Sequence, residues 1–487
     1  MNLKEPTRKD IWVFPFQGQG HQLPSIQLCK RLAWKRIHTT LLITSSNTPS
    51  LSQNPFVHVI NLPSSNPPPP PPLEINPIPM HRFPRPPMPI DPHDHHSETA
   101  AALEELLASC PILPAYVVVD VMMSWSNRIF SKFSVPVVSY FTSGACSAAM
   151  EYAIWKDDVF GRAKVDEAQF LLGLPREMAV TQNELKRQHD GPPPCSGGGP
   201  GSPPRGPPPR IGGAMPHQPP PELGHEPRWV AETNDAVGLL INTCKELEGP
   251  FLDYLSEEIK KPIWAIGPLL PDQYWRPIDG VLSDREFRSD RESSVSEEDV
   301  AAWLNGKPKR SVLYISFGTE MGHGPGPELS QLADALEVSE RPFIWAISPN
   351  NHGHDSLHNE ELQRLCQRVE GKGLVIKGWA PQLLILTHPS TGGFLSHCGW
   401  NSTVEAVTRG VPILAWPVKG DQHFNAMLVV KYLRVGCMVS RVEKDVIKKG
   451  IEQLFDGELS KWTRDFGSQF EGGLPSNSKD ALDAFYE

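Results

Sequence analysis

Short apolar runs recur along the chain, separated by stretches that alternate apolar and polar positions at helical spacing. The series opens with IWVFPF, passes through GQGHQLP and the amphipathic segment PSIQLCKRLAWKR, and returns to an apolar run at TTLLITS. That order predicts strand, loop, helix, strand. Further on, YVVVD is apolar up to its last residue, as a strand covered on both faces of a parallel sheet must be. VPVVSYF, VGLLINT and PIWAIGPLL continue the rhythm. Residues 271–296 turn polar and charged (PDQYWRPIDGVLSDREFRSDRESSVS) and read as a linker. A second series follows, with strands predicted at SVLYISFGT, RPFIWAI, GLVIKGW, GGFLS and VPILAWP. The pattern predicts an α/β chain of two Rossmann-type, doubly wound domains, over residues 1–265 and 266–460, facing each other across a cleft where a ligand binds.

Three tracts break the periodicity: six consecutive prolines from Pro67 to Pro72, a Pro- and His-rich run at 81–96, and a Pro- and Gly-rich run at 191–221. Such composition supports neither helix nor central strand, so surface loops beside the cleft are expected. Asp91, His93, Asp94, His95 and His96 fall in the second tract, but a Pro-rich loop without matching ligands elsewhere does not predict a metal site. With 46 Lys plus Arg against 56 Asp plus Glu, the net charge of −10 argues against binding a phosphate backbone, hence no nucleic acid. The eight cysteines are scattered and form no CxxC pair, which fits a reduced, cytoplasmic setting. Neither a signal peptide nor a membrane span is evident, and a monomer is expected.

The chemistry concentrates in residues 387–407, THPSTGGFLSHCGWNSTVEAV. A short apolar strand runs into small and polar residues and then a helix opening. Gly399 permits close backbone approach, and Asn401 and Ser402 are residue types favoured at a helix N-cap. A helix start presents N–H groups and a positive dipole end, a setting for an anion. Near the N-terminus, Gly18-Gln19-Gly20-His21-Gln22-Leu23 begins like a dinucleotide fingerprint, yet Leu23 stands where the third glycine belongs. There is no Walker A stretch and no Asp-x-Asp pair. A nucleoside diphosphate would therefore be held by backbone amides and by neutral or cationic side chains.

His21 lies just past the first predicted strand, and Asp120 closes YVVVD about a hundred residues later. Strand C-terminal ends face the crevice of an open parallel sheet, so the two can meet there. An imidazole, titrating ordinarily near pH 6.5, can take a proton from a hydroxyl, and a carboxylate on its other nitrogen would fix its tautomer. The residues alone leave a structural role open for both.

With its flanks, the central stretch reads GWAPQLLILTHPSTGGFLSHCGWNSTVEAVTRGVPILAWPVKGDQ, and it resembles the signature block of the plant family of UDP-dependent glycosyltransferases that act on small molecules. From Trp379 to Gln422 it is 44 residues long (422 − 379 + 1), the family's own length. FPFQGQGH, INTCKELE, WAIGPLLP and SVLYISFGT extend the resemblance over nearly the whole chain. It implies a GT-B-like fold whose final helices, residues 461–487, cross back to the first domain. It also implies that Trp379 stacks on uracil, with Ala380 and Gln382 completing base and ribose contacts. The diphosphate would meet His397, Asn401, Ser402, the amides around Gly399 and Trp400, and the loop carrying Ser316 and Thr319. Glu405 would bind both ribose hydroxyls, although Ser402-x-x-Glu405 also reads as a capping box. Asp421 and Gln422 would hold the sugar, the glutamine favouring glucose. By the same resemblance His21 is the general base and Asp120 its partner, and Gln22, Met122, Met123, Tyr140, Thr142 and the loop near Gly191 line the acceptor pocket. The interval between Ser440 and Glu443 is shorter than in similar chains, which puts the clasp of the final helices in question.

The resulting expectation is an inverting UDP-glucose-dependent glucosyltransferase that forms a β-glucoside on a small apolar metabolite (a flavonoid, other phenolic or terpenoid) without a metal cofactor. Its partners would be the UDP-sugar and the acceptor. Two alternatives remain: transfer to carbon of an activated phenol ring, and a non-catalytic UDP-sugar-binding protein whose Pro-rich tracts dock partner domains.

Overall fold

The computed structural model describes residues 10–44, 54–63, 96–162, 167–190, 224–275, 292–318, 329–347, 364, 367–369 and 371–486. The tracts at 67–72 and 191–221, all of 81–96 except His96, and linker residues 276–291 lie outside these.

Seven parallel strands form the first sheet: β1 (Asp10–Phe14), β2 (His38–Ile43), β3 (Val57–Asn61), β4 (Tyr116–Asp120), β5 (Val137–Phe141), β6 (Gly238–Ile241) and β7 (Ile263–Ala265), in the order β3-β2-β1-β4-β5-β6-β7. Successive residues of these strands serve opposite cores. Ile11, Val13, Val118, Val138 and Tyr140 pack on one face, while Trp12, Phe14, Val117, Val119 and Val137 pack on the other. This two-sided burial accounts for the continuous apolar runs.

The second sheet holds β8 (Val312–Ser316), β9 (Phe343–Ile347), β10 (Leu374–Lys377), β11 (Thr391–Ser396), β12 (Ile413–Ala415) and β13 (Gly436–Met438), ordered β10-β9-β8-β11-β12-β13 and again parallel. Leu313, Ile315 and Trp345 face one core and Val312, Tyr314 and Ile344 the other. Each sheet reverses its strand order once, between β1 and β4 and between β8 and β11. Ligand crevices of open α/β sheets open at such points.

Two strands, β3 and β13, one helix boundary and the start of the expected linker depart from the sequence-based expectation; Asp272–Trp275 form a helical turn with Tyr274 buried. Both unforeseen strands sit at sheet edges, and β13 has only three residues. The helix predicted from Pro24 begins at Gln19, so residues expected to form a loop supply its first turn. The helix Ser476–Tyr486 packs on β7, where Ser478 donates to the Gly267 carbonyl at 2.7 Å and Phe485 meets Tyr116 and Trp264 edge-on. Nearby, Tyr274 is fully buried, donates to the Glu405 carbonyl, and lies under the Arg409 guanidinium at 4.4 Å. Among the described residues no helix is long and apolar enough to cross a membrane.

Candidate active site

Asp120 is the last residue of β4 and His21 sits in the first turn of the helix Gln19–Trp34 that follows β1, so the first sheet's reversal brings them together. The carboxylate is fully buried. Its Oδ1 accepts the Met122 N–H at 2.9 Å, and its Oδ2 lies 2.8 Å from His21 Nδ1. Thr142 Oγ1, just beyond β5, lies 2.9 Å from the same nitrogen. A carboxylate offers only acceptors, so Nδ1 carries the proton and shares it between the two oxygens; Nε2 then holds the lone pair. The imidazole is a quarter exposed and is flanked edge-on by Phe16 at 5.2 Å. This is the geometry of an oriented base.

Pro24 has a specific consequence here. A proline inside a helix lacks the N–H that would bond the carbonyl four residues back, which is that of Gly20. The Gly20 carbonyl instead accepts the Asn401 side-chain N–H at 3.0 Å, from the other half of the molecule. The residue preceding His21 is thereby tied to the start of the helix Trp400–Val407.

That helix follows β11 at the second reversal point. Its N-cap is Gly399, and Thr403 donates the first intrahelical bond, back to the Gly399 carbonyl. The N–H groups of Trp400, Asn401 and Ser402 therefore lack an intrahelical acceptor and point out of the helix start. The expected N-cap role of Asn401 and Ser402 is corrected: both lie inside the first turn. Ser402-x-x-Glu405 is accordingly no capping box. His397 is wedged between two glycines, since a Cβ on Gly318 would lie 2.7 Å and one on Gly399 2.5 Å from its Nε2. Gly318 also needs its φ of +80° and donates to the hydroxyl of Ser316, which ends β8. Cys398 adopts φ +62°, an uncommon conformation for a residue with a side chain, of a kind that clusters at functional turns.

Gln382, Ser402 and Glu405 form one network. The Gln382 carboxamide accepts from the Tyr314 hydroxyl at 3.1 Å and donates to Ser402 Oγ at 3.0 Å and to Glu405 Oε2 at 2.6 Å. Glu405 is buried, and Ala380 is nearly so; Trp379 is half-buried, with its backbone N–H on the Glu292 carbonyl. Gln422 turns its Oε1 onto the N–H groups of Val418 and Lys419, both at 3.0 Å. Asp421 accepts from Asn425, which also donates to the Cys398 carbonyl, each at 3.0 Å. Asn425 thus locks Asp421 to the turn after β11. Thr319 lies outside the described residues.

Three of the expected site residues have buried side chains. The Trp400 indole is buried and donates to the Asn242 carbonyl at 2.7 Å, leaving only the Trp400 backbone at the helix start. Tyr140 and Met123 are buried in the two cores flanking the first sheet. Met122 is exposed and Gln22 is half-buried. Thr142 is also buried, and its hydroxyl serves the imidazole.

Two acidic residues without an expected role sit where the halves meet. Glu248 accepts the N–H groups of Ala145 and Cys146, both at 2.7 Å, at the start of the helix Ala145–Lys156. Burial pushes its carboxyl up to about 7 against those hydrogen bonds. Glu151, on the same helix, is raised to about 7 by burial and then by the charge of Asp421 opposite, while a contact with the Trp229 indole works the other way. INTCKELE contains both Asn242 and Glu248, so the local sequence signal for them was present. Among the described residues no group of three or more His, Cys, Asp or Glu is arranged to hold a metal ion.

Comparison with known proteins bears on the whole assembly. Residues 260–462 match the family described as UDP-glucoronosyl and UDP-glucosyl transferase. The UDP-glucosyl transferase 73M2 of Saponaria officinalis is 28% identical over 483 residues, covering 93% of this chain and 90% of its own. The abscisate beta-glucosyltransferase of Phaseolus angularis is 28% identical over 445 residues, with 89% and 83% covered. Among solved structures, Glycyrrhiza uralensis UGT73P12 complexed with glycyrrhetinic acid 3-O-monoglucuronide superposes with a TM-score of 0.75 at 21% identity, covering 99% of this chain and 95% of that one. TcCGT1 in complex with UDP gives 0.70 at 22% identity, with 98% of each covered. The two parallel sheets have the GT-B arrangement of these enzymes, and in sequence the chain is similar to the plant-type family 1 UDP-dependent glycosyltransferases.

Proposed function

We propose that this enzyme transfers glucose from UDP-glucose to a hydroxyl of a small apolar acceptor with inversion at the anomeric carbon. The observation that carries the proposal is the His21–Asp120 pair at one sheet reversal, tied through Gly20 and Asn401 to the helix start at the other. His21 Nε2 takes the acceptor proton as the oxygen attacks C1 of the sugar. The bond from C1 to the diphosphate oxygen breaks, and UDP leaves with the electron pair. Attack from the face opposite UDP gives the β-glucoside. Asp120 stabilises the imidazolium without leaving its buried place.

In this scheme the N–H groups of Trp400, Asn401 and Ser402, with His397 and Ser316, neutralise the developing charge on UDP. Glu405 and Gln382 take the ribose, Trp379 and Ala380 the base, and Asp421 and Gln422 the sugar. Gln22, Met122 and Thr142 lie on the acceptor side, in a domain spanning residues 1–265; residues 266–460 carry the donor. The names of the glucosyltransferase relatives and the UDP held by TcCGT1 support the donor.

The experiment is incubation with UDP-glucose and a panel of phenolic and terpenoid alcohols, with mass spectrometry for a hexose adduct and the NMR coupling of the anomeric proton. A β-linked O-glucoside with stoichiometric UDP is expected. An α-linked product, or UDP-glucose bound but never consumed across the panel, contradicts the proposal.

A further inference from the structure

Asn242 directly follows β6, is 1% exposed, and commits four polar atoms. Its backbone N–H donates to the Phe141 carbonyl at 2.9 Å, continuing the β5–β6 ladder by one step. Its side-chain Nδ2 then donates to the next carbonyl along, that of Thr142, at 3.2 Å. The amide side chain acts as one more rung of the ladder and pins Thr142 after the strand has ended. Its Oδ1 accepts the Leu269 N–H at 2.7 Å, which fixes the carboxamide's orientation. Its backbone carbonyl accepts the Trp400 indole N–H at 2.7 Å, from the first turn of the donor-side helix.

Thr142 in turn places its hydroxyl 2.9 Å from His21 Nδ1. One continuous chain of hydrogen bonds therefore runs from the donor-side helix through Asn242 and Thr142 to the imidazole. We propose that Asn242 is a positioning residue for glycosyl transfer: it holds Thr142 against His21 and sets that loop in register with the donor-binding helix. The role presupposes the base chemistry proposed above. Asn242 touches neither substrate. Its effect passes through the orientation of the imidazole, which must aim Nε2 at the acceptor hydroxyl. Small errors of placement at such a base are costly in rate.

The test compares two acceptors, an ordinary alcohol and a phenol already ionised at the assay pH, which needs no base. Asn242→Ala removes both side-chain bonds. Asn242→Asp keeps an acceptor for Leu269 but loses the donor to Thr142, and it serves if the alanine variant does not fold. On the alcohol, kcat should fall by about 10-fold or more with KM for UDP-glucose within about 3-fold; on the ionised phenol the loss should shrink to within about 3-fold. Thr142→Val combined with either variant should cost no more than the worse single change, because both act on one link. Equal losses on the two acceptors would reduce Asn242 to a structural role and overturn the proposal. So would full activity on both. His21→Ala, run in parallel, separates the two levels. If it discriminates between the acceptors while Asn242→Asp does not, only the positioning role fails; if His21→Ala does not discriminate, the base assignment itself fails.

Discussion

Glu405 shows how one side chain's surroundings decide between roles that sequence leaves open. A glutamate three residues after a serine could steady a helix start or bind a ligand. The observed N-cap is Gly399, which removes the capping role, and the carboxylate is buried with Gln382 donating to it at 2.6 Å. Glu405→Gln keeps an oxygen for that donor but loses the charge that would hold two ribose hydroxyls. We expect the melting temperature to stay within about 2 °C and affinity for UDP-glucose to weaken about 10-fold or more, from losing about 1.5–3 kcal/mol of charged hydrogen bonding. Calorimetric titration and a thermal melt check both; an early melt with normal donor binding would return the residue to a structural role. Other single residues were beyond sequence reading for a simple reason. Tyr140 and Ser139 lie on opposite faces of β5 and both are buried, because neighbouring elements cover the sheet on each side, which the local pattern does not reveal. Asn242 is one polar residue after a strand, and its value lies in partners at Thr142, Leu269 and Trp400 that no local window contains.

At the scale of elements, the buried strands were legible because strands covered on both faces must be apolar throughout. β3 and β13 escaped: VHVIN and GCM lie at sheet edges, where one neighbour is missing and solvent tolerates polar residues. The early start of the helix at Gln19 escaped because Pro24 suggested a helix opening, whereas it stands inside the helix and leaves the Gly20 carbonyl to Asn401. The helix Trp400–Val407 offers the sharpest test at this scale. Gly399 has φ −59°, open to any residue, so substitution there adds no backbone strain. A methyl group would instead meet His397 at 2.5 Å and displace the ring from the helix start. Gly399→Ala should therefore fold normally and bind UDP about 10-fold or more weakly, as expected for losing about 1.5 kcal/mol or more of a charge-assisted contact. UDP affinity equal to wild type, by titration calorimetry, would exclude His397 from the diphosphate site.

For the whole molecule, the seam between the two halves is where stability and function meet. Glu151 faces Asp421 across it, and its carboxyl is raised to about 7 from an ordinary 4.5. A carboxyl raised on folding binds more protons in the native state, so its stabilising contribution is full below about pH 4.5 and is lost as pH rises through about 7. Glu151→Gln removes that loss. Its melting temperature relative to wild type should rise by about 2 °C or more between pH 5 and pH 8; a difference independent of pH would contradict a carboxyl raised mainly by burial at this seam. The two-domain architecture and the signature block were legible from sequence, while the ties across the seam, such as Asn401 to Gly20, depend on how the halves meet and were not. His21→Ala, assayed on an ordinary alcohol with UDP-glucose and titrated with UDP, should lose about 10²–10⁴-fold in rate while UDP affinity stays within about 3-fold. Turnover undiminished on that alcohol would contradict the assignment of His21 as the base.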